Sequence, residues 1–328
     1  MAAHPWTPRW RGKRVSPLPY LLILPTLAFV VLFTIYPTFQ VIRSSQVYYH
    51  PNRPDRTRES DLNLPGVAVE SRSIRGPHDV GLAYFRAMFD PTTEEGTIFF
   101  RVLGNTLVYA AVTVSASMAL AFLFAMLVNR AAKWIGLARI ALFYPTMLPM
   151  VSAATIWLFF FTPDYGLFNS ALQVFGYTGP QNWVINKDLA LGSLMIVAIW
   201  KDAGYLMIFY LAGMQNLPSE IYEAADLDGA SWWVKTIRIT LPLLRRTTLF
   251  VSVVAIISAF QNIDHALVLT YQLVSGEADL LLYEIYKQRF VLQNYGFANA
   301  LTVVMILLLL VFTLSNFFLS ERSTEARA

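Results

Sequence analysis

The sequence predicts an all-α, polytopic integral membrane protein. It has six spanning helices and a helix–turn–helix on the loop between the fourth and fifth. Three observations carry that prediction. Of 328 residues, 56% are hydrophobic and 14% charged, with a mean hydropathy of +0.48, whereas soluble domains carry roughly 25% charge. The apolar residues gather in six long runs without the alternation of a barrel strand. Lys and Arg concentrate in alternate connectors. A chain with this much apolar surface has lipid as the solvent for much of it.

The first run, residues 20–42, follows a tail (1–19) carrying Arg9, Arg11, Lys13 and Arg14. It is longer than the apolar part of a signal peptide, and no small-residue cleavage site follows Tyr36-Pro37, so it reads as a retained helix. The second run lies within 102–129 and the third at about 140–162, where Pro145 and Pro149 predict a kink. The fourth, about 190–213, is interrupted by Lys201 and Asp202. The fifth extends from 247 to near 269 and meets Asp264 late, and the sixth lies within 290–320. Each supplies the roughly 20 residues that cross about 30 Å of hydrocarbon as a helix. The backbone there must satisfy its own hydrogen bonds, and runs such as 301–312 lack a barrel strand's alternation.

The positive-inside rule gives a direction. Arg130, Lys133 and Arg139 lie between spans two and three, and Lys235, Arg238, Arg245 and Arg246 between four and five. The opposite connectors hold Lys187, then Lys287 and Arg289. Both termini are therefore expected in the cytoplasm, with residues 321–328 as the C-terminal tail. The core is expected over 102–320, with a cytoplasmic loop at 214–246. The loop 43–101 carries eight basic and eight acidic residues over about 59 positions, a length at which translocation responds weakly to charge. Its Pro- and Gly-rich first half predicts irregular structure. Leu82, Phe85 and Phe89 predict a short helix within 80–89, lying on the membrane or on a partner.

Several function classes are excluded. The 25 basic residues are scattered between apolar blocks, which is no nucleic-acid face. Cysteine is absent, and His4, His50, His78 and His265 show no metal-ligand spacing, so no metal site is expected. No catalytic constellation and no G-x-x-x-x-G-K-[ST] phosphate loop is present, so any nucleotide chemistry belongs to another subunit.

The intramembrane charges are the candidate pathway. Lys201 and Asp202 together cost about 5–7 kcal/mol at a helix centre. Nine Leu, Ile, Val and Phe residues between Leu191 and Leu211 return about 3–5 kcal/mol. The pair must therefore face protein or water, either as a polar lining or as a structural ion pair. Gln261, Asn262 and Asp264 form a second cluster, with Gln261 and Asp264 on one helix face at i, i+3. Amides, carboxylates and aromatic faces suit a hydroxyl-rich ligand, so Tyr205 and Trp157 join the candidates. Interhelical hydrogen bonding is the alternative use of these groups.

The loop at 214–246 is the most informative segment. Ser219 after Pro218 predicts a helix N-cap, with Glu220 and Glu223 near the positive end of the helix dipole. Ile221, Ala224, Ala225 and Asp228 share a face, shallow where the alanines lie. Gly229 predicts a left-handed stop, followed by a second short helix ending before Pro242. The product is a rigid knob able to enter a groove on another protein.

Glu223-Ala224-Ala225, Gly229 four residues later, and then Ile239, Leu241 and Pro242 resemble the EAA loop of ABC importer permeases. The resemblance narrows to the carbohydrate-type, maltose/glycerol-phosphate-like branch. It rests on Leu18-Pro19-Tyr20, Tyr36-Pro37, Asp90-Pro91, Asn105-Thr106, Tyr144-Pro145, Pro149, Trp157, Tyr165-Gly166, Asn169, Trp200-Lys201 and Phe260-Gln261. Two regions depart from that pattern: the first external loop is long, and 270–276 reads Thr-Tyr-Gln-Leu-Val-Ser-Gly instead of a Gly-rich turn with Pro.

The resemblance implies an ATP-driven, binding-protein-dependent importer of a sugar, oligosaccharide or polyol in a prokaryotic inner membrane. It implies a second permease subunit in a heterodimer, an ATPase subunit dimer holding ATP-Mg, and an extracytoplasmic solute-binding protein. In that family the EAA loop docks on the ATPase, which assigns Glu223, Ala224, Ala225, Asp228, Gly229, Leu241 and Pro242 to coupling. An ion-coupled secondary transporter using Lys201 and Asp202 is the alternative; the lack of an inverted repeat argues against it.

Overall fold

A computed structural model describes residues 18–48, 78–129, 134–177, 181–261, 263–269 and 276–325. The first half of the long loop and Asn262 lie outside these residues.

The first apolar run is helical from α1 (Leu18–Val30) through a π turn (Val31–Ile35) into α2 (Tyr36–Ser44). The widened turn has a cause. Pro37 has no N–H for the Phe33 carbonyl and its ring would strike it, so the preceding turn opens and Tyr36 N–H bonds Val31 O instead. From Leu21 to Ser44 this helix contributes no buried residue to the bundle.

The chain then forms a two-stranded antiparallel pair, β1 (Val47–Tyr48) with β2 (His78–Asp79). Helix α3 (Ala83–Phe89) follows. It buries Tyr84 and Met88 at i, i+4 within the protein and leaves Leu82 and Phe89 exposed. Of the expected contact face, Leu82 and Phe89 stay exposed while Phe85 is half-buried against the core. The helix seats its other side on its own bundle.

Helix α4 (Glu94–Val128) begins eight positions before the apolar run. Thr93 caps it, its hydroxyl accepting from Gly96 N–H at 3.0 Å and donating to Ala87 O at 2.6 Å. Glu94 and Glu95 sit against the dipole. At 35 residues it is about 52 Å long, more than hydrocarbon requires. Its buried stripe carries large side chains at Phe99 and Tyr109 but is small from Ala110 through Thr113, Ser117 and Ala121 to Ala125. Without a hydrophobic drive between helices in lipid, small residues let backbones approach and pack. The stripe meets α8 (Lys187–Gln215) along most of its length.

The third run is broken outright. α5 (Ile135–Met147) and α6 (Met150–Phe160) meet at 103°. Pro145 weakens the last turn of α5 and Pro149 caps α6 from outside. A short α7 (Leu167–Val174) precedes α8. At Gly204 of α8, a Cβ would fall against the Leu142 carbonyl of α5, so glycine sets how closely these helices cross.

After α8 come α9 (Ser219–Leu227) and α10 (Trp232–Val234). α10 continues through a π turn (Lys235–Thr240) into α11 (Leu241–Leu243), and α12 (Arg245–Gln261) follows. Pro242 does not end the second short helix as expected. The π turn ahead of it removes the conflict with the Arg238 carbonyl, and Leu241 N–H bonds Thr236 O. The fifth run divides into α12 and α13 (Asp264–Leu269). Gln261 and Asp264 therefore lie on either side of a break, and the i, i+3 argument for a shared face does not hold. α14 (Leu281–Tyr286), a π turn (Lys287–Val291) and α15 (Tyr295–Glu325) complete the chain.

Candidate coupling elbow and polar interior

The elbow is closed by backbone chemistry within a few residues. Gly229 takes φ +70°. Ala230 N–H bonds Ala225 O at 2.9 Å and Gly229 N–H bonds Asp226 O at 3.1 Å. Those two bonds are the paired closure that a left-handed residue after a helix provides. Pro218, not Ser219, occupies the cap position of α9, and no side chain caps that end. Ser231 caps α10, its hydroxyl accepting from Val234 N–H at 3.4 Å.

Two side-chain links hold the helices together. Lys235 pairs with Asp226 at 2.5 Å, and the Tyr222 and Thr240 hydroxyls lie 2.9 Å apart. The elbow sits on the ends of α4 and α8, where Met126, Asn129, Met214, Tyr222 and Trp232 share a small cleft of about 180 Å³. Gly213 faces Thr247 and Leu244, so α8 and α12 touch at the base of the elbow.

This geometry sorts the candidate coupling residues. Ala225 is buried in the chain's own fold. Glu223, Ala224, Asp228 and Gly229 are exposed on one side, with Leu227 at 90% exposure among them. Leu241 and Pro242 are exposed on the second arm. The outward surface is therefore Glu223, Ala224, Leu227 and Asp228. Leu227, one turn from Ala224, was not singled out from sequence.

The intramembrane candidates do not gather in one pocket. The Lys201 ammonium donates to the carbonyls of Pro145 (3.2 Å), Thr146 (3.4 Å) and Leu148. Asp202 is half-buried and lies within electrostatic reach of Lys201 and Tyr109. Tyr205 is exposed and packs edge-on against Phe209. Trp157 is half-buried among Phe160, Phe161, Phe168 and Trp200. Gln261 and Asp264 are exposed at the α12–α13 break. Beside the α5–α6 break, a groove of about 330 Å³ is lined by apolar side chains of α4, α5 and α8, with Leu142, Pro145 and Trp200 among them. Among the described residues, no group of three His, Asp or Glu could hold a metal ion.

Sequence reading missed a buried polar network at the other end of the bundle. Asn105 Nδ2 donates to the carbonyls of Glu277 (2.7 Å) and Asp279 (3.1 Å), and Thr106 Oγ1 accepts from Leu281 N–H at 2.8 Å. Asp279 is 1% exposed and binds Lys287, which also pairs with Glu284 at 2.9 Å. Burial works against the Lys287 charge. The hydrogen bonds to Asp279 and Glu284 outweigh it and hold the ammonium pKa above its ordinary value. Deeper in the bundle, the Tyr109 hydroxyl lies 2.9 Å from His265 Nε2. Asn169 is a third staple, joining the carbonyls of Pro163 and Gln181 (both 2.9 Å) to the Trp183 indole (3.1 Å). Asn105, Thr106 and Asn169 are among the residues that carry the family resemblance, yet their contacts are structural.

Comparison with known proteins bears on this architecture. A family model described as the inner membrane component of binding-protein-dependent transport systems matches residues 117–324. The arabinooligosaccharides transport system permease protein AraP of Bacillus subtilis is 30% identical over 318 residues, covering 96% of this chain and 91% of that protein. The trehalose/maltose transport system permease protein MalF of Thermococcus litoralis is 29% identical and covers 92% of each chain. A solved bacterial alginate ABC transporter, in complex with an alginate pentasaccharide-bound periplasmic protein, superposes with a TM-score of 0.74 at 22% identity, covering 94% of this chain and 95% of that one. The helical bundle, the elbow on its end and these matches place the chain in the family of inner membrane components of binding-protein-dependent transport systems.

Proposed function

We propose that this chain is the permease subunit of an ATP-driven importer for a sugar, oligosaccharide or related polyol. Its elbow docks on an ATPase subunit that carries the ATP-Mg. A second permease, forming a heterodimer, completes the pathway, and an extracytoplasmic solute-binding protein delivers substrate to the end built from 78–101, 161–177, 181–187 and 276–295. Both termini and the elbow face the cytoplasm, in keeping with the Lys and Arg of the elbow end. ATP-driven closure of the ATPase dimer moves the elbow, and the spans alternate between inward and outward access.

The single observation that supports this most is the elbow. It is rigid, closed by its own hydrogen bonds, and presents a shallow surface of Glu223, Ala224, Leu227 and Asp228. The relatives named for arabinooligosaccharides and for trehalose/maltose support the substrate class.

The test is uptake by vesicles carrying the chain with its co-purified partners, using labelled arabinooligosaccharide and maltose. Uptake is expected to stop with vanadate and to survive an uncoupler. Glu223→Lys is expected to leave assembly intact and separate ATP hydrolysis from uptake. Uptake that ignores vanadate and dies with the uncoupler would replace this reading with ion-coupled transport.

A further inference from the structure

The break between α5 and α6 leaves backbone carbonyls open at membrane depth. The end of any helix leaves its last carbonyls without partners, and lipid supplies none. Here the Pro145 carbonyl also accepts the Leu148 N–H at 3.3 Å, and the Lys201 ammonium donates to the carbonyls of Pro145, Thr146 and Leu148. It reaches them from 53 to 56 residues away in sequence. An ammonium has three donors and no acceptor, so three carbonyls occupy it fully and leave none for a substrate hydroxyl. A cation at this position also meets the negative end of the α5 dipole.

Lys201 sits on the helix that leads to the elbow. From Lys201 to the end of α8 at Gln215 is about 21 Å of uninterrupted helix. One turn beyond Lys201, Gly204 lies against the Leu142 carbonyl of α5, with no room for a Cβ. α8 thus grips the broken span at two adjacent points, one by hydrogen bonds and one by close backbone approach.

We infer that Lys201 is a positioning residue, not a substrate contact: it pins the α5–α6 break to α8 so that movement of the elbow reaches the broken span. The transport half of this inference rests on the importer function proposed above. The pin does not.

Two measurements keep them apart. The chain has no cysteine, so Ile140→Cys and Phe159→Cys, both exposed and on opposite arms of the break, can carry spin labels without interference. In nanodiscs, the chain with Lys201 is expected to give one narrow inter-label distance. Lys201→Met, which keeps length and loses the donors, is expected to broaden or shift it, and Lys201→Arg to restore it. An unchanged distance in Lys201→Met overturns the pin. If Lys201→Met does not insert, Lys201→Leu, which also lacks donors, replaces it under the same criterion.

In reconstituted transporter, Lys201→Met is expected to lower uptake per ATP hydrolysed by about an order of magnitude at unchanged KM. A raised KM with unchanged maximal rate would make Lys201 a substrate contact and overturn the positioning role. A chain that moves no sugar but shows the distance change would retire the importer reading and keep the pin.

Discussion

The elbow and the opposite end of the bundle solve the same problem with different chemistry. Each must hold short helices on the ends of long ones. The elbow does it with contacts between near neighbours: Ala230 to Ala225, Lys235 to Asp226, Tyr222 to Thr240, at most 18 residues apart. The far end does it with contacts between residues 172 to 175 apart, Asn105 to Glu277 and Thr106 to Leu281. A local network forms once its own segment is helical, and its outer surface stays free for a partner. A long-range network exists only when α4 and the 276–286 segment have docked, and its polar groups are then committed to the fold. The elbow is therefore expected to tolerate surface change and to fail in coupling. The far end is expected to fail in stability.

Four substitutions test that contrast, from the largest expected loss of stability to the smallest. Asp279→Ala removes a buried carboxylate and strands Lys287 beside Glu284 alone. Breaking a buried pair costs about 3 kcal/mol, less some relief because Lys287 is partly exposed, so about 2 kcal/mol is expected in unfolding of the detergent-solubilised chain. A loss under half of that would show that the network contributes little.

Asn105→Ala leaves the carbonyls of Glu277 and Asp279 without their shared donor. A loss of about 1–2 kcal/mol is expected, with faster amide exchange confined to 276–281. Exchange spread evenly over the chain would contradict a local staple.

Gly229→Ala meets no steric obstacle, but it forces a side chain into φ +70°. A cost of about 1 kcal/mol is expected, seen as fraying of α9 alone. Leu227→Asp changes the most exposed apolar residue of the elbow. Stability should move by less than about 0.5 kcal/mol while uptake is lost. Normal uptake in Leu227→Asp would move the docking surface off α9.

The two regions also differ in how much of them could be read from the amino acids. Gly229 and the alanine pair follow from rules that act over four or five residues, so the turn of the elbow was legible before any fold was known, although the cap expected at Ser219 does not form and Ser231 caps the second arm. Its outward face was not. The direction of Ala225 depends on how the elbow is seated on the chain's own fold, in which it is buried. The far-end network gave no signal, because Asp279, Glu284 and Lys287 read as ordinary loop charges until Asn105 and Thr106 are brought to them. Pro145 and Pro149 announced a disturbance in the third span, but not its size. A full break is tolerable only because Lys201 arrives from another helix.

What the amino acids determined alone were the six apolar runs, their helical character and the turn of the elbow. Lipid forces each span to close its own backbone bonds, and local turns close theirs within a few residues. What only the tertiary structure decided was which polar groups are committed. Lys201 takes the carbonyls of the broken span, Asn105 and Thr106 hold the far end, and Ala225 turns inward. Each of those outcomes joins residues distant in sequence, and a hydrogen bond formed across that distance depends on how the helices pack.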